Sequence, residues 1–150
     1  RETRGALWIQ KRNQRFEVSA PYEDFYVAYH VSNAKSKIKF GNKEDELSCH
    51  IDIQAEGNLD EFILDKSILS TKEIKKVEEA IAKVIKDEVL NSLKILQEKY
   101  QADVIGLGKE LERQHPKEWE KVKDNWEEVF EHLPISVNVN IFIRRVGQSK

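Results

Sequence analysis

The first half of the chain alternates apolar and polar residues with the period of two that is typical of a half-buried β-strand. In residues 47–55, LSCHIDIQA, apolar or small side chains occupy the odd positions and polar side chains the even ones. Residues 15–20 alternate in the same way, and Pro21 is the expected end of that strand. Each segment is therefore predicted to be a strand with one buried face.

The segment 25–40 also alternates, but its apolar residues are at odd positions at the start and at even positions at the end. A shift of one residue moves every following side chain to the other face of a sheet, so we predict a β-bulge or bend near residues 32–34. The polar stretch 41–46 then leads into the strand at 47–56. Together these two strands are predicted to form an antiparallel hairpin.

Helical spacing begins in the middle of the chain. Ser70 and Glu73 have the spacing of a capping box, and apolar residues then recur every three or four positions as far as Tyr100. This predicts one long helix of about 28 residues, roughly 42 Å in length.

Two shorter helices are predicted next. Asp103 can cap the first of them, whose Gly106 and Gly108 would each cost up to ~1 kcal/mol relative to Ala and so suggest close backbone packing. Pro116 suits the first turn of the second helix. That helix carries an apolar stripe of Trp119, Val122, Trp126, Val129 and Phe130.

The last element is the most regular strand of the chain. After Pro134, Ile or Val occupies every odd position from 135 to 143, and the even positions 136, 138 and 140 are polar. The order β-β-β-α-α-α-β predicts an α+β fold. We expect an antiparallel sheet with one long and two shorter helices packed on one face. A length of 150 residues fits a single domain, 1–150.

Composition narrows the function classes. Charged residues make up 35% of the chain, but the net charge is only −2, so no broad electrostatic attraction to nucleic acid is expected. No apolar run approaches the ~20 residues of a membrane-spanning helix. Cys49 is the single cysteine, which excludes an internal disulfide. The chain begins at Arg1 and has no methionine, so we expect it to be part of a longer protein.

Candidate catalytic and metal-binding residues are few. The sequence contains no P-loop, nucleophile elbow, zinc-protease motif or paired-cysteine motif. His30 and His50 lie on the polar faces of neighbouring strands and are candidates for a close approach, yet two imidazoles make a poor metal site. Cys49 and His50 point to opposite faces, which argues against a thiol dyad. We predict no cofactor and no enzyme active site; a pair of carboxylates in a deep cleft is the rival hypothesis.

A basic strand face is the strongest surface feature. Lys35, Lys37 and Lys39 alternate with Ser36 and Ile38, so the three lysines share one face. Such a face can contact RNA, but the aromatic pair of RNA-binding sheets is missing, and lysines also protect edge strands from aggregation. We therefore expect no nucleic-acid partner.

Short motifs occur in order along nearly the whole chain. They are ETRGALW at 2–8, KSKIK at 35–39, EGNL at 56–59, LQEKYQADVIGLG at 96–108, HPKEW at 115–119, DNW at 124–126 and RRVG at 144–147. This ordered set resembles the Ger(x)C family, the C subunits of nutrient germinant receptors in spore-forming Bacilli and Clostridia. His115 and Val146 depart mildly, since Tyr and Thr are common there in the family.

The resemblance implies that the chain is the C-terminal domain of a non-enzymatic lipoprotein subunit. Such subunits act with integral membrane A and B subunits and lie on the outer surface of the spore inner membrane, held by an N-terminal lipid anchor that this chain does not contain. The alternative is a domain that binds the germinant itself. The candidate interaction or family-motif residues are Glu2, Arg4, Gly5, Trp8, Lys35, Lys37, Arg144, Arg145 and Gly147.

The first motif leaves two structural alternatives open. Leu7, Trp8 and Ile9 form a dense apolar cluster ahead of the strands. The cluster is either part of this domain's own core, as an edge strand, or a contact with an upstream domain.

Overall fold

The structure is a computed structural model that describes residues 4–9, 17–60, 70–100 and 103–146. Its elements, in chain order, are α1 (Arg4–Ile9), β1 (Glu17–Tyr22), β2 (Phe25–Lys43), β3 (Glu46–Leu59), α2 (Thr71–Ile95), a π-helical turn (Leu96–Tyr100), α3 (Leu107–Gln114), α4 (Pro116–Val122), a 3₁₀ turn (Lys123–Asn125), α5 (Trp126–His132) and β4 (Ile135–Val146). The predicted α+β order is confirmed, with an additional short helix ahead of the first strand.

The four strands form one sheet in the order β1-β2-β3-β4. Strands β1, β2 and β3 are joined as antiparallel neighbours, but β4 runs parallel to β3. A parallel neighbour can only be reached through a long crossover, and the helices between β3 and β4 provide it. The sheet is therefore mixed, and the prediction of a wholly antiparallel sheet is wrong for its last strand.

A β-bulge in β2 moves the buried side of that strand. The register with β3 shifts between Val31 and Asn33. Tyr29, with 0% of its surface exposed, is buried before the bulge, whereas Ser36 and Ile38 face the core after it. The parity switch predicted near residues 32–34 is confirmed.

The β2–β3 turn and Pro21 in β1 both follow local backbone rules. The turn between β2 and β3 is made by Glu44 and Asp45, whose positive φ angles of 55° and 64° are those that tight hairpins require. β1 continues through Pro21 to Tyr22, beyond its predicted end. Among the described strands, β1 pairs with β2 alone and is therefore an edge strand, where the missing N–H of a proline is tolerated.

The long helix α2 is the main cover of the sheet. Ser70 accepts a hydrogen bond from the Glu73 N–H (3.1 Å), while the Glu73 carboxylate accepts from the Ser70 N–H, which completes the predicted capping box. The helical path continues through the π-helical turn, close to the predicted end. The apolar stripe of α2 is fully buried at Val77, Ile81, Ile85 and Val89.

One side chain of α2 also reaches the outer edge of the sheet. A carboxylate oxygen of Glu78 accepts a hydrogen bond of 2.9 Å from the N–H of Ile143, in β4. This N–H points away from β3, and no other described strand pairs with β4 on that side, so the Glu78 carboxylate takes the place of a ladder partner.

The short helices α3, α4 and α5 complete the crossover. The stripe predicted as one helix is split by the 3₁₀ turn, and of its five residues Phe130 is fully buried while the others are partly exposed. Among the described helices, none combines the length and apolar character needed to cross a membrane.

The first segment is a helix, so the prediction of an edge strand is wrong. Helix α1 packs on α2: the Gly5 N–H donates to the Ser92 hydroxyl (3.0 Å), and the Ser36 hydroxyl donates to the carbonyl of Ile9 (2.7 Å). A β-carbon at Gly5 would lie 2.5 Å from the Glu88 carbonyl oxygen, so only glycine allows this approach. With 2% exposure, Trp8 belongs to the domain's own core.

This arrangement predicts that Trp8→Ala lowers the free energy of unfolding by about 3–5 kcal/mol, because it removes a buried indole and leaves a cavity. Urea-induced unfolding measures the change. Tyr26→Ala is the matched control, since 65% of Tyr26 is exposed, and it should alter stability little. Equal stabilities of the two variants would show that α1 is not part of the core.

Candidate functional site

The described helices pack on one face of the sheet and leave the other face exposed. Apolar side chains of all four strands pack inward in a core shared with α1 and α2. The alternate side chains point to solvent, and we call their central part the polar sheet face. It consists of Lys35, Lys37 and Lys39 on β2, His50, Asp52 and Gln54 on β3, and Ser136, Asn138 and Asn140 on β4.

A shallow groove of about 430 Å³ runs across this face. Its charged lining consists of the three lysines and one carboxylate, Asp52, with Gln54 and Asn140 beside them. The excess of ammonium groups makes the groove a basic patch on a chain of nearly balanced charge. The prediction that Lys35, Lys37 and Lys39 share one face is confirmed, and the chemistry of the groove suits an anionic partner.

Beside the groove, His50 connects β3 to β4. Its Nδ1 lies 2.6 Å from the Ser136 hydroxyl, and its Nε2 lies 3.2 Å from a carboxylate oxygen of Asp52. Asn138 donates to the same oxygen at 3.4 Å. The parallel register of β3 and β4, which pairs His50 with Ser136 and Asp52 with Asn138, creates this group.

Ser136, His50 and Asp52 are the residue types of a hydrolytic triad, but the described backbone around them offers no oxyanion hole and the surface is open. Acyl transfer needs N–H donors that converge on the oxyanion. β3 is a central strand, and its backbone N–H groups serve the ladders with β2 and β4. The His50 side chain is 43% exposed on an open surface. These side chains therefore act as a polar link between two strands.

Neither the single cysteine nor the two strand histidines are placed as reactive groups would be. Cys49 is 2% exposed on the core side, and burial raises the pKa of its thiol to about 12, so the nucleophilic thiolate is not formed near neutral pH. The prediction that Cys49 lies on the apolar face, opposite to His50, is confirmed. His30 and His50 do not meet: His30 lies opposite Asn58, whereas His50 lies opposite Lys39, far along β2.

The closing motif meets the EGNL motif on the sheet. The Arg144 Nε lies 3.3 Å from a Glu56 carboxylate oxygen, and the guanidinium lies 5.0 Å from the centre of the Phe142 ring. Arg145 is also exposed, next to the register shift that pairs it with Asn58. Both arginines are held on β4.

Behind them, the Tyr29 hydroxyl donates to the carbonyl of Phe142 (3.1 Å), and burial raises the pKa of this tyrosine. Gly57 of the EGNL motif has no room for a side chain, because a β-carbon would lie 2.2 Å from the His30 carbonyl oxygen.

The sequence-predicted residues thus separate into two groups. Gly5 and Trp8 pack α1 into the core, whereas Lys35, Lys37, Arg144 and Arg145 are exposed on the sheet. The register places Lys35 level with Asn140, four residues before Arg144 on β4. For Arg4, only the backbone at the start of α1 is described. Glu2 and Gly147 lie outside the described residues.

The carboxylate of Asp103 connects its own motif, at 96–108, to the DNW motif at 124–126. One of its oxygens accepts from the Leu107 N–H (2.8 Å), and the other accepts from the Gly108 N–H (2.7 Å) and the Trp126 indole N–H (2.9 Å). The carboxylate therefore satisfies the start of α3 and fastens α5 to it. Trp119 of the HPKEW motif packs edge-on against Trp126, with ring centres 5.5 Å apart.

The two glycines of this region have different roles. A β-carbon at Gly108 would lie 2.9 Å from the Trp126 Nε1, so the close packing predicted from the sequence is confirmed there. Gly106 instead adopts a left-handed conformation, with φ of 83°, just before α3.

Comparisons with known proteins assign the chain to a family and match its fold to a solved structure. The family model described as "Spore germination B3/ GerAC like, C-terminal" matches residues 1–147. The chain therefore belongs to this family, the C subunits of germinant receptors in spore germination. The crystal structure of the GerBC protein has the same fold, with a TM-score of 0.86 over 95% of the chain at 22% identity.

Relatives from Bacillus subtilis (strain 168) include spore germination protein YndF, 32% identical over 99% of the chain, and spore germination protein KC, 28% identical over 97%. The chain spans only 37% and 36% of the length of these two proteins, and 45% of the GerBC chain. It thus corresponds in extent to less than half of these relatives.

The Asp103 cluster predicts that Asp103→Ala lowers the free energy of unfolding by about 2–3 kcal/mol, because it removes a helix cap and a charged partner of the Trp126 indole. Thermal or urea unfolding measures the loss. Asp124→Ala is the control, since Asp124 is exposed in the 3₁₀ turn, and its effect should be within ~0.5 kcal/mol. A stable Asp103→Ala variant would contradict the assigned role.

Proposed function

We propose that this chain is a non-enzymatic assembly domain of a spore nutrient germinant receptor, acting with the membrane A and B subunits to trigger germination. Membership of the germinant receptor C-subunit family supports the receptor context. The observation that carries the assembly role is the polar sheet face, which is basic at its centre and is not covered by any of the described helices.

The polar sheet face is a preorganised surface, as a docking site requires. Its lysines are on a segment of β2 that pairs with β3 along its length, so their backbone positions do not need to be ordered when a partner binds. Binding to a preorganised surface loses less conformational entropy than binding to a mobile loop. Arg145 adds positive charge on β4, whereas the charge of Arg144 is paired with the Glu56 carboxylate.

The complementary partner carries negative charge. Acidic segments of the A or B subunit fit this description, and so do anionic lipid headgroups if a lipid anchor outside this chain holds the protein on the outer surface of the spore inner membrane. At physiological ionic strength, charges act over ~8 Å, so the lysines contribute through direct contact. The small net charge of −2 gives the whole chain no long-range attraction to such a partner.

The docking role predicts that Lys35→Glu/Lys37→Glu in the full-length protein reduces receptor assembly and slows nutrient germination. The reason is that two attractive contacts become repulsive, which typically costs several kcal/mol across an interface. Germination of spores and recovery of the A and B subunits with the variant measure the effect.

Lys75→Glu/Lys76→Glu is the matched control for this experiment, because these lysines are equally exposed but lie on α2, on the covered side of the sheet. It should germinate normally, and both purified double variants should keep the melting temperature of the unaltered chain. Normal germination of the Lys35/Lys37 variant would exclude the polar sheet face as the contact surface.

The second candidate function is direct germinant binding, favoured by the size of the groove, since small-molecule sites commonly have volumes of ~300–1,000 Å³. The assembly role predicts no change in melting temperature with amino acids, sugars or nucleosides. A ligand at 100 times its dissociation constant would stabilise a binding domain by ~2.7 kcal/mol. Stabilisation that Lys37→Ala abolishes would therefore establish the binding function instead.

A further inference from the structure

We propose that Glu17, His30 and Asp60 form a binding site for a divalent transition-metal ion of the Zn²⁺ class. The site lies on the solvent side of the sheet, where β1, β2 and the end of β3 meet, away from the lysine groove. It does not depend on the receptor function proposed above. Each of the three residues offers one donor atom, and these atoms lie within 4.8 Å of one another.

The backbone fixes the three residues in relation to one another. Glu17 and His30 are directly opposite partners in the β1–β2 ladder, so their side chains leave the sheet on the same face. Asp60 follows β3, and its N–H donates to the carbonyl of Ala28 at 3.0 Å. That hydrogen bond holds its carboxylate beside His30, with Asp60 Oδ2 only 3.0 Å from His30 Nε2.

The distances agree with zinc coordination. Bonds from Zn²⁺ to imidazole nitrogen and carboxylate oxygen are ~2.0–2.2 Å, which separates the ligand atoms of a tetrahedral centre by roughly 3.3–3.5 Å. The His30–Asp60 separation is slightly shorter than this, and the Glu17 carboxylate supplies a third donor atom within 4.8 Å of the other two. The ion therefore fits with side-chain adjustments alone, and a water molecule supplies the fourth ligand.

The donor set selects the class of ion. One imidazole with two carboxylates combines a borderline nitrogen ligand with two anionic oxygens, which suits Zn²⁺ and its transition-metal neighbours. Ca²⁺ prefers six to eight oxygen ligands, and Mg²⁺ retains most of its water. Partial burial strengthens the site at one position: the Asp60 side chain is only 14% exposed, whereas the His30 side chain is 47% exposed and leaves the ion an entry path.

Binding would connect three separate regions of the chain. β1 is held by a ladder to β2 alone among the described strands, and a metal bridge would fasten it to β2 and to Asp60 at the end of β3. Because the unfolded chain does not present the three ligands together, the binding energy adds to the stability of the folded state.

The test titrates the purified, EDTA-dialysed chain with ZnCl₂ by calorimetry and follows the melting temperature. We expect one saturable site and a higher melting temperature with Zn²⁺. Glu17→Gln and His30→Gln should each weaken binding by at least ~10-fold, since removal of a ligand costs no less than removal of an outer-shell partner. His50→Gln is the matched control, because His50 contacts one carboxylate and a hydroxyl, and it should bind as before.

Glu17 is exposed, so Glu17→Gln keeps the test decisive even if a change at His30 disturbs folding. Melting curves in EDTA verify that each variant is folded. The proposal is overturned if the unaltered chain takes up no stoichiometric Zn²⁺, or if Glu17→Gln and His30→Gln bind it unchanged. It is also overturned if His50→Gln alone removes the site. Equal competition by Ca²⁺ or Mg²⁺ would reject the assigned class of ion.

Discussion

The parallel pairing of β4 with β3 is the constraint on which the rest of the molecule depends. A strand that runs parallel to its neighbour must begin at the same end of the sheet, so the chain has to return across the whole sheet first. Helix α2 crosses the sheet in that direction and buries Val77, Ile81, Ile85 and Val89 against the strands. Because the described helices of the crossover lie on one face only, they leave the polar residues of the opposite face exposed.

The bulge in β2 also determines which side chains face the core and which face solvent. It lets one long strand contribute Tyr29 to the core under β4 and then Ser36 to the contact with α1. Without the register shift, the lysines of the following segment would point into the core, where unpaired ammonium groups are strongly unfavourable. One inserted residue thus decides that the basic groups line the open groove.

Local patterns in the sequence predicted much of this fold, because they reflect interactions between residues close in the chain. The capping box at Ser70, the hairpin turn, the bulge and the burial of Cys49 all follow from neighbours within a few positions. The same parity argument placed Lys35 and Lys37 correctly on an exposed face. For these lysines, orientation could be predicted although the groove itself could not.

The features that the sequence did not predict depend on distant partners. Alternation in β4 predicts a strand but not its direction, so neither the parallel pairing nor the link between His50 and Ser136 could be inferred. The apolar cluster at Trp8 fits a strand or a helix equally well, and the choice depends on the space beside α2 that Gly5 permits. Asp103 was expected only as a helix cap, because Trp126 lies 23 positions away.

The hydrogen bond from Ile143 to Glu78 has a consequence for solubility. β4 is rich in Ile and Val and forms the margin of the sheet, a combination that promotes aggregation through strand-to-strand addition. An incoming strand would have to displace the Glu78 carboxylate from the Ile143 N–H and leave this negative charge poorly solvated. Helix α2, which covers the sheet, thereby also opposes pairing between the edge strands of two molecules.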